Sequence, residues 1–237
     1  MKTENRKIGS LVTTKVREKF LPSQLQDLSP QLDTLYVTLN GYSKIPDFVN
    51  GFSNVECICD PKNRTRDIAK LLISKEVGSC YFFTFDDDLL YPEDYVSKYM
   101  EKFEQYGKRT ILCLHGTILK PNWIVYYQHR KVLHYFEPME KDRIFDLAGT
   151  ATTAFHTDSL KINFNEIWDY EIGSDLWLAY FAYKNDIPLQ AIARKKNWVV
   201  CKPGTQSCGT PLYVKVAKDK LWQWRRNRFF RGWKVNV

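Results

Sequence analysis

Three consecutive aspartates, Asp86, Asp87 and Asp88, directly follow the apolar run from Tyr81 to Phe85. Successive side chains of an extended chain point to opposite sides, so Asp86 and Asp88 can converge on one cation while Asp87 faces elsewhere. Oxygen ligands of this type suit a hard divalent ion. The sequence therefore predicts a metal site at the end of a buried strand. The alternative is a polar loop between a strand and a helix, with Asp88 as the helix cap.

A divalent ion held by one or two carboxylates usually serves a substrate diphosphate, because the ion neutralises the charge of the departing phosphate. The aspartates therefore favour a nucleotide-linked substrate. Lys70 and the pair Arg130-Lys131 are basic residues that could reach phosphate oxygens. Each of them, taken alone, could equally be a solvated surface charge.

Candidates for proton transfer are Asp169, Glu171 and Asp175, which lie just before and at the start of an expected helix. Asp175 is the preferred residue, because an acceptor hydroxyl could meet its carboxylate there, and its alternative role is to cap that helix. His115 and His156 each end a short apolar run. They could complete a metal shell or bind substrate, or they could be satisfied structural groups.

Other types of catalytic site have no signature in this sequence. It contains no Gly-x-x-x-x-Gly-Lys-Ser/Thr loop, Gly-x-Gly-x-x-Gly fingerprint or Gly-x-Ser-x-Gly elbow, which argues against the usual kinases, dehydrogenases and hydrolases. Cys57 and Cys59 are the only closely spaced cysteines among six, and no histidine lies near them. A zinc site or a disulfide framework is therefore not expected.

The elements around the aspartates alternate between short β-like runs and amphipathic stretches, which predicts an α/β protein with a mostly parallel sheet covered by helices on both faces. Helices are expected over 15–28 with a break near Pro22, over 65–75 with Thr65 as cap, and from Pro92 to Gly107. Ligands of open α/β sheets bind outside the carboxyl ends of the strands, where the aspartates lie. The expected strands are 8–14, 35–39, 55–59, 81–85 and 110–114.

The second half of the sequence is different in pattern. Residues 123–128 and 131–136 are expected to form antiparallel strands joined by a turn at His129-Arg130. A helix over 175–183, a strand over 189–193 and a loop over 203–209 follow. We expect one domain over 1–211, with a donor-binding half at about 1–116 and an acceptor half at about 117–211.

Most of the net charge of +8 lies in a C-terminal tail, residues 212–237, where eight basic residues and Asp219 give +7. Aromatic residues are mixed with these cations, which predicts contact with anionic lipid headgroups. The alternatives are a nucleic-acid contact, which is not favoured, and a helix packed on its own domain. The residues expected at the membrane are Trp222, Trp224, Arg225, Arg226, Arg228, Phe229, Phe230 and Trp233.

Neither a membrane-spanning segment nor a signal peptide is expected. The sequence has no run of about 18 to 20 apolar residues, and its first residues lack an apolar core. Together with the tail, this predicts a cytoplasmic protein that associates peripherally with the inner face of the cell membrane.

Several segments, in the same order along most of the chain, resemble the bacterial glycosyltransferases of GT-A fold that include the heparosan α-N-acetylglucosaminyltransferases of capsule synthesis. The aspartate-rich block is the most specific of them. The segments are 39–42 with Ile45-Pro46, 86–96, 114–116, 130–132, 147–152, 174–177 and 196–198.

The resemblance implies a GT-A-like, Rossmann-like sheet and the transfer of a sugar from a UDP-sugar to a polysaccharide or lipid-linked glycan of the bacterial surface. It implies that Asp86 and Asp88 bind Mn²⁺ or Mg²⁺ on the diphosphate, that Asp86 and Asp87 contact the donor, and that Asp175 faces the acceptor. Gly149 lies in a matching segment on the acceptor side. Other glycan-assembly enzymes are possible partners.

The sequence departs from this family where the donor nucleotide is expected. Relatives tend to have Ile-Pro-Ser-Arg where this chain has Val12-Thr13-Thr14-Lys15, and Asp-x-Gly-Lys where it has Asp67-Ile68-Ala69-Lys70. Thr14, Lys15, Asp67 and Lys70 are the expected donor contacts. Lys15 keeps the positive charge but lacks the bidentate fork of arginine.

Two other classes of function use the same features. Clustered aspartates also occur in metal-dependent nucleotidyltransferases and phosphohydrolases, which would release pyrophosphate or phosphate without forming a glycoside. A protein without enzymatic activity could bind nucleic acid or a membrane through the basic tail.

Overall fold

A mixed sheet forms the centre of the protein. The structure is a computed structural model that describes residues 5–120, 125–126, 128–205 and 219–229. Its strands are β1 (Lys7–Thr14), β2 (Thr34–Asn40), β3 (Val55–Asp60), β4 (Tyr81–Asp86), β5 (Leu89–Leu90), β6 (Ile111–Cys113), β7 (Gly116–Leu119), β8 (Arg130–Leu133), β9 (Arg143–Phe145), β10 (Leu147–Ala148), β11 (Thr152–His156), β12 (Leu189–Ala191) and β13 (Val200–Cys201).

Eight of these strands form the central sheet, in the order β3-β2-β1-β4-β11-β6-β12-β9. The first four are parallel to one another, so their carboxyl ends lie along one edge of the sheet. In this register Thr14 is opposite Asn40, and Asn40 is opposite Asp60. β11 runs antiparallel to β4 and starts at the same edge, where Thr152 is opposite Phe85.

Helices cover both faces of the sheet, as the alternating pattern predicts. The α-helices of the described residues are α1 (Leu21–Leu28), α2 (Ala69–Leu72), α3 (Tyr95–Tyr106), α4 (Ser174–Lys184) and α5 (Lys220–Phe229). Side chains of β4 alternate between the two resulting cores: Phe83 and Phe85 pack with α1 and α3, and Phe82 packs with α2 and α4. The apolar run of β4 is continuous because both faces of the strand are buried.

The strands predicted at 8–14, 35–39, 55–59, 81–85 and 110–114 are confirmed to within about one residue at most of their ends. The helix that ends at Gly107 begins at Tyr95 and not at Pro92, because the Tyr95 amide closes a turn on the Pro92 carbonyl (3.0 Å). Gly107 has a φ of 79°, a conformation that glycine adopts without strain. The break near Pro22 separates a 3₁₀ turn, Lys15–Phe20, from α1.

The helical segment predicted over 65–75 is present from Arg66 to Lys75, but it is not one regular α-helix, and the Thr65 side chain does not cap it. α2 is a single α-helical turn between the 3₁₀ segments Arg66–Ile68 and Ile73–Lys75. Thr65 makes no capping bond, because its amide and its hydroxyl both donate to Asp60 Oδ2, at 2.8 and 2.7 Å. A local contact with the end of β3 replaces the cap.

The predicted hairpin of 123–128 with 131–136 is also wrong in the part that the structure describes. β8 pairs antiparallel with β7, and β7 pairs with β10 in a separate three-stranded sheet. The amides of Gln128 and His129 donate to the Val125 carbonyl at 3.1 and 2.9 Å, which folds this segment into a turn. Residues 121–124 lie outside the described residues.

Candidate active site

The aspartates lie at the carboxyl edge of the four parallel strands. Asp86 ends β4, and its amide donates to the Tyr91 hydroxyl at 2.9 Å, while that hydroxyl donates to the Ala151 carbonyl at 2.7 Å. The Lys202 amide donates to the Asp88 carbonyl at 2.7 Å. The backbone of the aspartates is therefore fixed in two ways. Tyr91 links Asp86 to the turn before β11, and Lys202, directly after β13, binds Asp88.

The three carboxylates face different environments. Asp87 is 5% exposed and accepts hydrogen bonds from the Thr13 hydroxyl (2.7 Å) and the Thr14 amide (3.3 Å). The side chains of Asp86 and Asp88 remain 35% and 33% exposed. Asp87 is thus a buried structural contact, and Asp86 and Asp88 are the two carboxylates that a ligand can reach.

Two protein cations already contact this cluster. Lys70 Nζ forms an ion pair with Asp86 Oδ1, and Arg17 Nη1 forms ion pairs with Asp87 and with Asp88 Oδ2, the latter at 3.2 Å. Sequence reasoning missed Arg17. Its signal is its place in the turn directly after β1, since β1 lies beside β4 in the sheet.

The cluster keeps an excess of negative charge, since three carboxylates face two cations. Burial and the neighbouring charge of Asp86 raise the pKa of Asp88 to about 6, although Arg17 opposes the shift. Among the described residues, no group of three or more His, Cys, Asp or Glu side chains could hold a metal ion by itself. Mg²⁺ commonly uses only one or two carboxylates and takes further ligands from water and substrate phosphates. Asp86 and Asp88 fit an ion bound in that way.

Lys70 lies between the aspartates and the start of α4. It is only 3% exposed. Burial lowers the pKa of its ammonium group, but the charges of Asp86, Asp67 and Asp175 outweigh burial and raise the pKa above its ordinary value. Sequence reasoning placed Lys70 on the donor phosphates, and the structure places it among three carboxylates.

Asp175 is fixed by the turn before β11. Its Oδ1 accepts hydrogen bonds from the Thr150 amide at 2.8 Å and the Thr150 hydroxyl at 2.7 Å. The amide and hydroxyl of Ser174 donate to Asp67 Oδ2 at 3.0 and 2.8 Å, and the Ser174 and Thr150 hydroxyls are 2.6 Å apart. Because Gly173 occupies the cap position of α4, Asp175 is not the cap of this helix.

The other two candidates for proton transfer are held in ion pairs. Glu171 contacts Arg66 at 2.8 Å and Arg225 at 2.7 Å. Asp169 Oδ1 accepts the Glu171 amide at 2.8 Å, and its Oδ2 lies 3.5 Å from Arg225 Nη1. Asp175 is therefore the carboxylate of this group that lies beside Lys70 and the aspartates.

His115 lies next to Gly149, in the segment between β6 and β7. The Gly149 amide donates to the His115 carbonyl at 2.7 Å, and a Cβ at Gly149 would lie 2.5 Å from His115 Cδ2. Nδ1 of His115 is buried and has no hydrogen-bond partner among the residues that the structure describes. Burial lowers the pKa of His115 to about 4, with smaller contributions from His134, Arg130 and Arg194, against the raising effect of Asp175. The ring is neutral near pH 7.

The remaining predicted residues lie away from the aspartates. Lys15 pairs with Glu18 and lies 4.8 Å from the centre of the Tyr42 ring. His156 is fully buried opposite Tyr81, at the other end of β4, so the structure does not bring it to the site.

Arg130 and Lys131 lie on β8, outside the aspartate cluster. Arg130 lies over the Tyr126 ring, at 4.3 Å from its centre. Its positive charge contributes to lowering the pKa of His115. Lys131 is exposed.

The tail helix α5 packs on the domain with one face. Arg225, Arg226 and Phe229 contact the domain, whereas Trp224 and Arg228 are exposed. The prediction that all of these side chains face a membrane is therefore wrong for the first three in this structure. The side chain of Trp222, and Phe230 and Trp233, lie outside the described residues. Every helix in the described part of the chain is too short or too polar to cross a membrane.

Comparisons with known proteins give no assignment. No protein-family model matches the chain, and a search of curated proteins finds no significantly similar sequence. The arguments for a function are therefore the sequence motifs and the geometry of the aspartate cluster.

Proposed function

We propose that the protein is a metal-dependent glycosyltransferase of GT-A-like fold, which transfers a sugar from a UDP-sugar to a polysaccharide or lipid-linked glycan of the bacterial surface. One observation supports it most directly. Asp86 and Asp88 present two accessible carboxylates at the carboxyl edge of parallel strands, and the buried Lys70 that pairs with Asp86 also feels the charge of Asp175. A donor site and an acceptor carboxylate then adjoin each other, as sugar transfer requires.

On the donor side, Asp86 and Asp88 would hold Mn²⁺ or Mg²⁺, which would neutralise the diphosphate as it leaves the sugar. Arg17 and Lys70 add positive charge at the same edge. The planar fork of Arg17 suits phosphate oxygens. Thr14 contributes through its amide, which keeps Asp87 buried and the loop in place.

On the acceptor side, Asp175 would accept a hydrogen bond from the attacking hydroxyl. Thr150 binds Oδ1 twice and so fixes the orientation of the carboxylate. Neutral His115 lies within electrostatic reach of Asp175 and could contact the acceptor. A rigid carboxylate of this kind lowers the barrier by orienting the acceptor, whether or not it removes the proton.

The proposal includes a place in the cell. The exposed face of α5, with Leu221, Trp224 and Arg228, together with the excess of positive charge in the tail, would contact anionic lipid at the cytoplasmic face of the membrane. This would bring the enzyme to a lipid-linked acceptor.

The test is a panel of UDP-sugars with Mn²⁺, Mg²⁺ or a chelator, on the wild type, Asp88→Asn and Asp186→Asn. Asp186 is an exposed aspartate after α4, so its replacement removes the same charge far from the aspartates. We expect metal-dependent release of UDP, a fall of about 100-fold or more in Asp88→Asn, and unchanged activity in Asp186→Asn. Equal activity of Asp88→Asn and wild type would refute the metal role. Release of pyrophosphate or phosphate without a glycoside would favour a nucleotidyltransferase or phosphohydrolase.

A further inference from the structure

The inner face of α5 contacts the loop that leads to Asp175. Arg225 Nη1 donates to Glu171 Oε2 at 2.7 Å and lies 3.5 Å from Asp169 Oδ2. Arg226 Nη2 donates to the Ile172 carbonyl at 3.2 Å. Two consecutive arginines of the tail therefore hold three positions of one short loop.

This loop determines where α4 begins. The 3₁₀ turn Tyr170–Ile172 is closed by Asp169, and the Trp177 indole of α4 donates to the Asp169 carbonyl at 3.0 Å. Gly173, with a φ of 99°, then turns the chain into α4. Asp175 is the second residue of that helix, so a shift of the loop moves its carboxylate.

A second set of contacts fixes α5 itself. The Phe229 ring packs on Trp177 and Tyr180, with centroid distances of 4.9 and 5.7 Å, and Asn227 Oδ1 accepts the Tyr126 amide at 3.0 Å. These contacts do not involve Arg225. The helix can therefore stay docked when the ion pairs of Arg225 are removed.

The outer face of the same helix provides a matched comparison. Arg228 is exposed, and its guanidinium lies 5.4 Å from the centre of the Trp224 ring on the same helix. Arg225 and Arg228 carry the same charge and lie on the same helix. They differ in what they contact in the described part of the chain: Arg225 contacts the loop before Asp175, and Arg228 contacts Trp224.

We infer that Arg225 is a positioning residue, which acts through Glu171 and Asp169 to hold Asp175 in place for the acceptor. The inference rests on the proposed function. It makes the tail helix part of the acceptor side of the site, in addition to any contact with a membrane. Because small misplacements of a reacting group cost up to about 100-fold in rate, we expect loss of Arg225 to lower acceptor transfer about tenfold.

The experiment compares Arg225→Ala, Arg225→Lys and Arg228→Ala in the full chain. Transfer is measured from UDP-N-acetylglucosamine to p-nitrophenyl glycosides, and hydrolysis of the same donor is measured without acceptor. Affinity for UDP with Mn²⁺ comes from calorimetry, and amide hydrogen exchange reports on residues 169–175.

We expect Arg225→Ala to lose about tenfold in kcat for transfer, with donor hydrolysis and UDP affinity unchanged and with faster exchange over 169–175. Arg225→Lys should recover part of the transfer, and Arg228→Ala should match the wild type in this assay, which contains a water-soluble acceptor and no membrane. Glu171→Gln provides a second variant, and its effect should add only in part to that of Arg225→Ala, because the two share the Arg225–Glu171 contact while Glu171 also pairs with Arg66 and Arg225 with Asp169.

Two results would overturn the inference. The first is equal transfer activity of Arg225→Ala and Arg228→Ala. The second is an equal fall of transfer, donor hydrolysis and UDP affinity in Arg225→Ala, because this would indicate general destabilisation. If the wild type transfers no sugar from any UDP-sugar of the panel, the proposed function fails, and the role in acceptor positioning fails with it. Hydrogen exchange still decides separately whether Arg225 orders the loop.

Discussion

Replacing Lys70 by methionine should destabilise the protein much more than the same replacement at Lys202. Both lysines are buried close to the aspartates, at 3% and 5% exposure. Lys70 forms a close ion pair with Asp86, whereas Lys202 Nζ donates to the neutral oxygens of Ser23 (2.9 Å) and Gln24 (2.7 Å) and lies 4.0 Å from Asp27 Oδ2. Both replacements remove a buried lysine, but only Lys70→Met removes a carboxylate contact at hydrogen-bond distance.

The magnitude follows from the partner that each replacement leaves behind. Removing one member of a buried ion pair costs about 3–5 kcal/mol. Asp86 is 35% exposed, so water can partly solvate its carboxylate, and we expect Lys70→Met to lower the free energy of unfolding by about 2–4 kcal/mol. For Lys202→Met, relief of the buried charge offsets part of the lost hydrogen bonds, and about 1 kcal/mol is expected.

The pH dependence of the two effects has opposite sign. The pKa of Lys70 is raised in the folded protein, so its stabilisation is complete below the unfolded pKa of about 10.4 and declines as pH rises above it. Burial lowers the pKa of Lys202, so the folded state loses that proton first and gains stability as pH rises through the folded pKa. The difference in the free energy of unfolding between wild type and Lys70→Met should therefore narrow above about pH 10.4. The difference between wild type and Lys202→Met should widen as the pH approaches about 10.4.

Urea unfolding at pH 7, 9 and 10.8, followed by far-ultraviolet circular dichroism, measures both effects. Differences between variants cancel the titration of the buried tyrosines, which all three proteins share. If Lys202→Met lowers the free energy of unfolding as much as Lys70→Met or more, the ion pair with Asp86 does not stabilise the fold. A difference between wild type and Lys70→Met that stays constant in alkali would show the same.

Three further predictions concern the acceptor side. Because the pKa of His115 is lowered to about 4, the folded state binds fewer protons than the unfolded state between about pH 4 and about pH 6.5. The free energy of unfolding, measured with urea, should therefore rise with pH over this range, and His115→Asn should flatten the rise. Gly149→Ala, whose Cβ would lie 2.5 Å from the His115 ring, should cost about 1–3 kcal/mol in thermal unfolding, whereas Gly51→Ala, with no atom within 4 Å, should be neutral. Thr150→Val removes one hydrogen bond to the Asp175 carboxylate and should lower sugar transfer roughly 10-fold or more while donor hydrolysis is kept; unchanged transfer would contradict the role given to Asp175.

The parallel half of the sheet was predictable because local signals agree there. The strand predicted at 35–39 is β2 at Thr34–Asn40, since a β-branched and aromatic run ends at an Asn-Gly turn. The hairpin of the second half was not predictable in the same way. The alternation of apolar and polar residues around Lys131 specifies a strand and its face, but it does not specify the partner strand, which is β7.

The candidate site shows the same division between local and tertiary information. Asp86, Asp67 and Asp175 converge because each lies at a strand end or a helix start on one edge of the sheet, which the sequence order indicates. The contact of Arg17 with the aspartates depends on local geometry that the sequence pattern does not show. The chain after β1 is a 3₁₀ turn, in which residues three apart lie on the same side, so Lys15 meets Glu18 and Arg17 turns to the aspartates.

Because of the ion pairs of Arg17 and Lys70, metal binding at the proposed donor site should depend on the nucleotide. In the structure these cations lie on the same carboxylates that would hold the metal, and like charges at that distance repel. A free divalent ion therefore competes with the protein's own cations, whereas a nucleotide diphosphate attracts those cations toward its oxygens and leaves Asp86 and Asp88 to the ion. Metal and nucleotide then favour each other's binding to the same extent, because the coupling between two ligands is reciprocal. Under the proposed function, the aspartate cluster would therefore bind a metal and a nucleotide together rather than a metal alone.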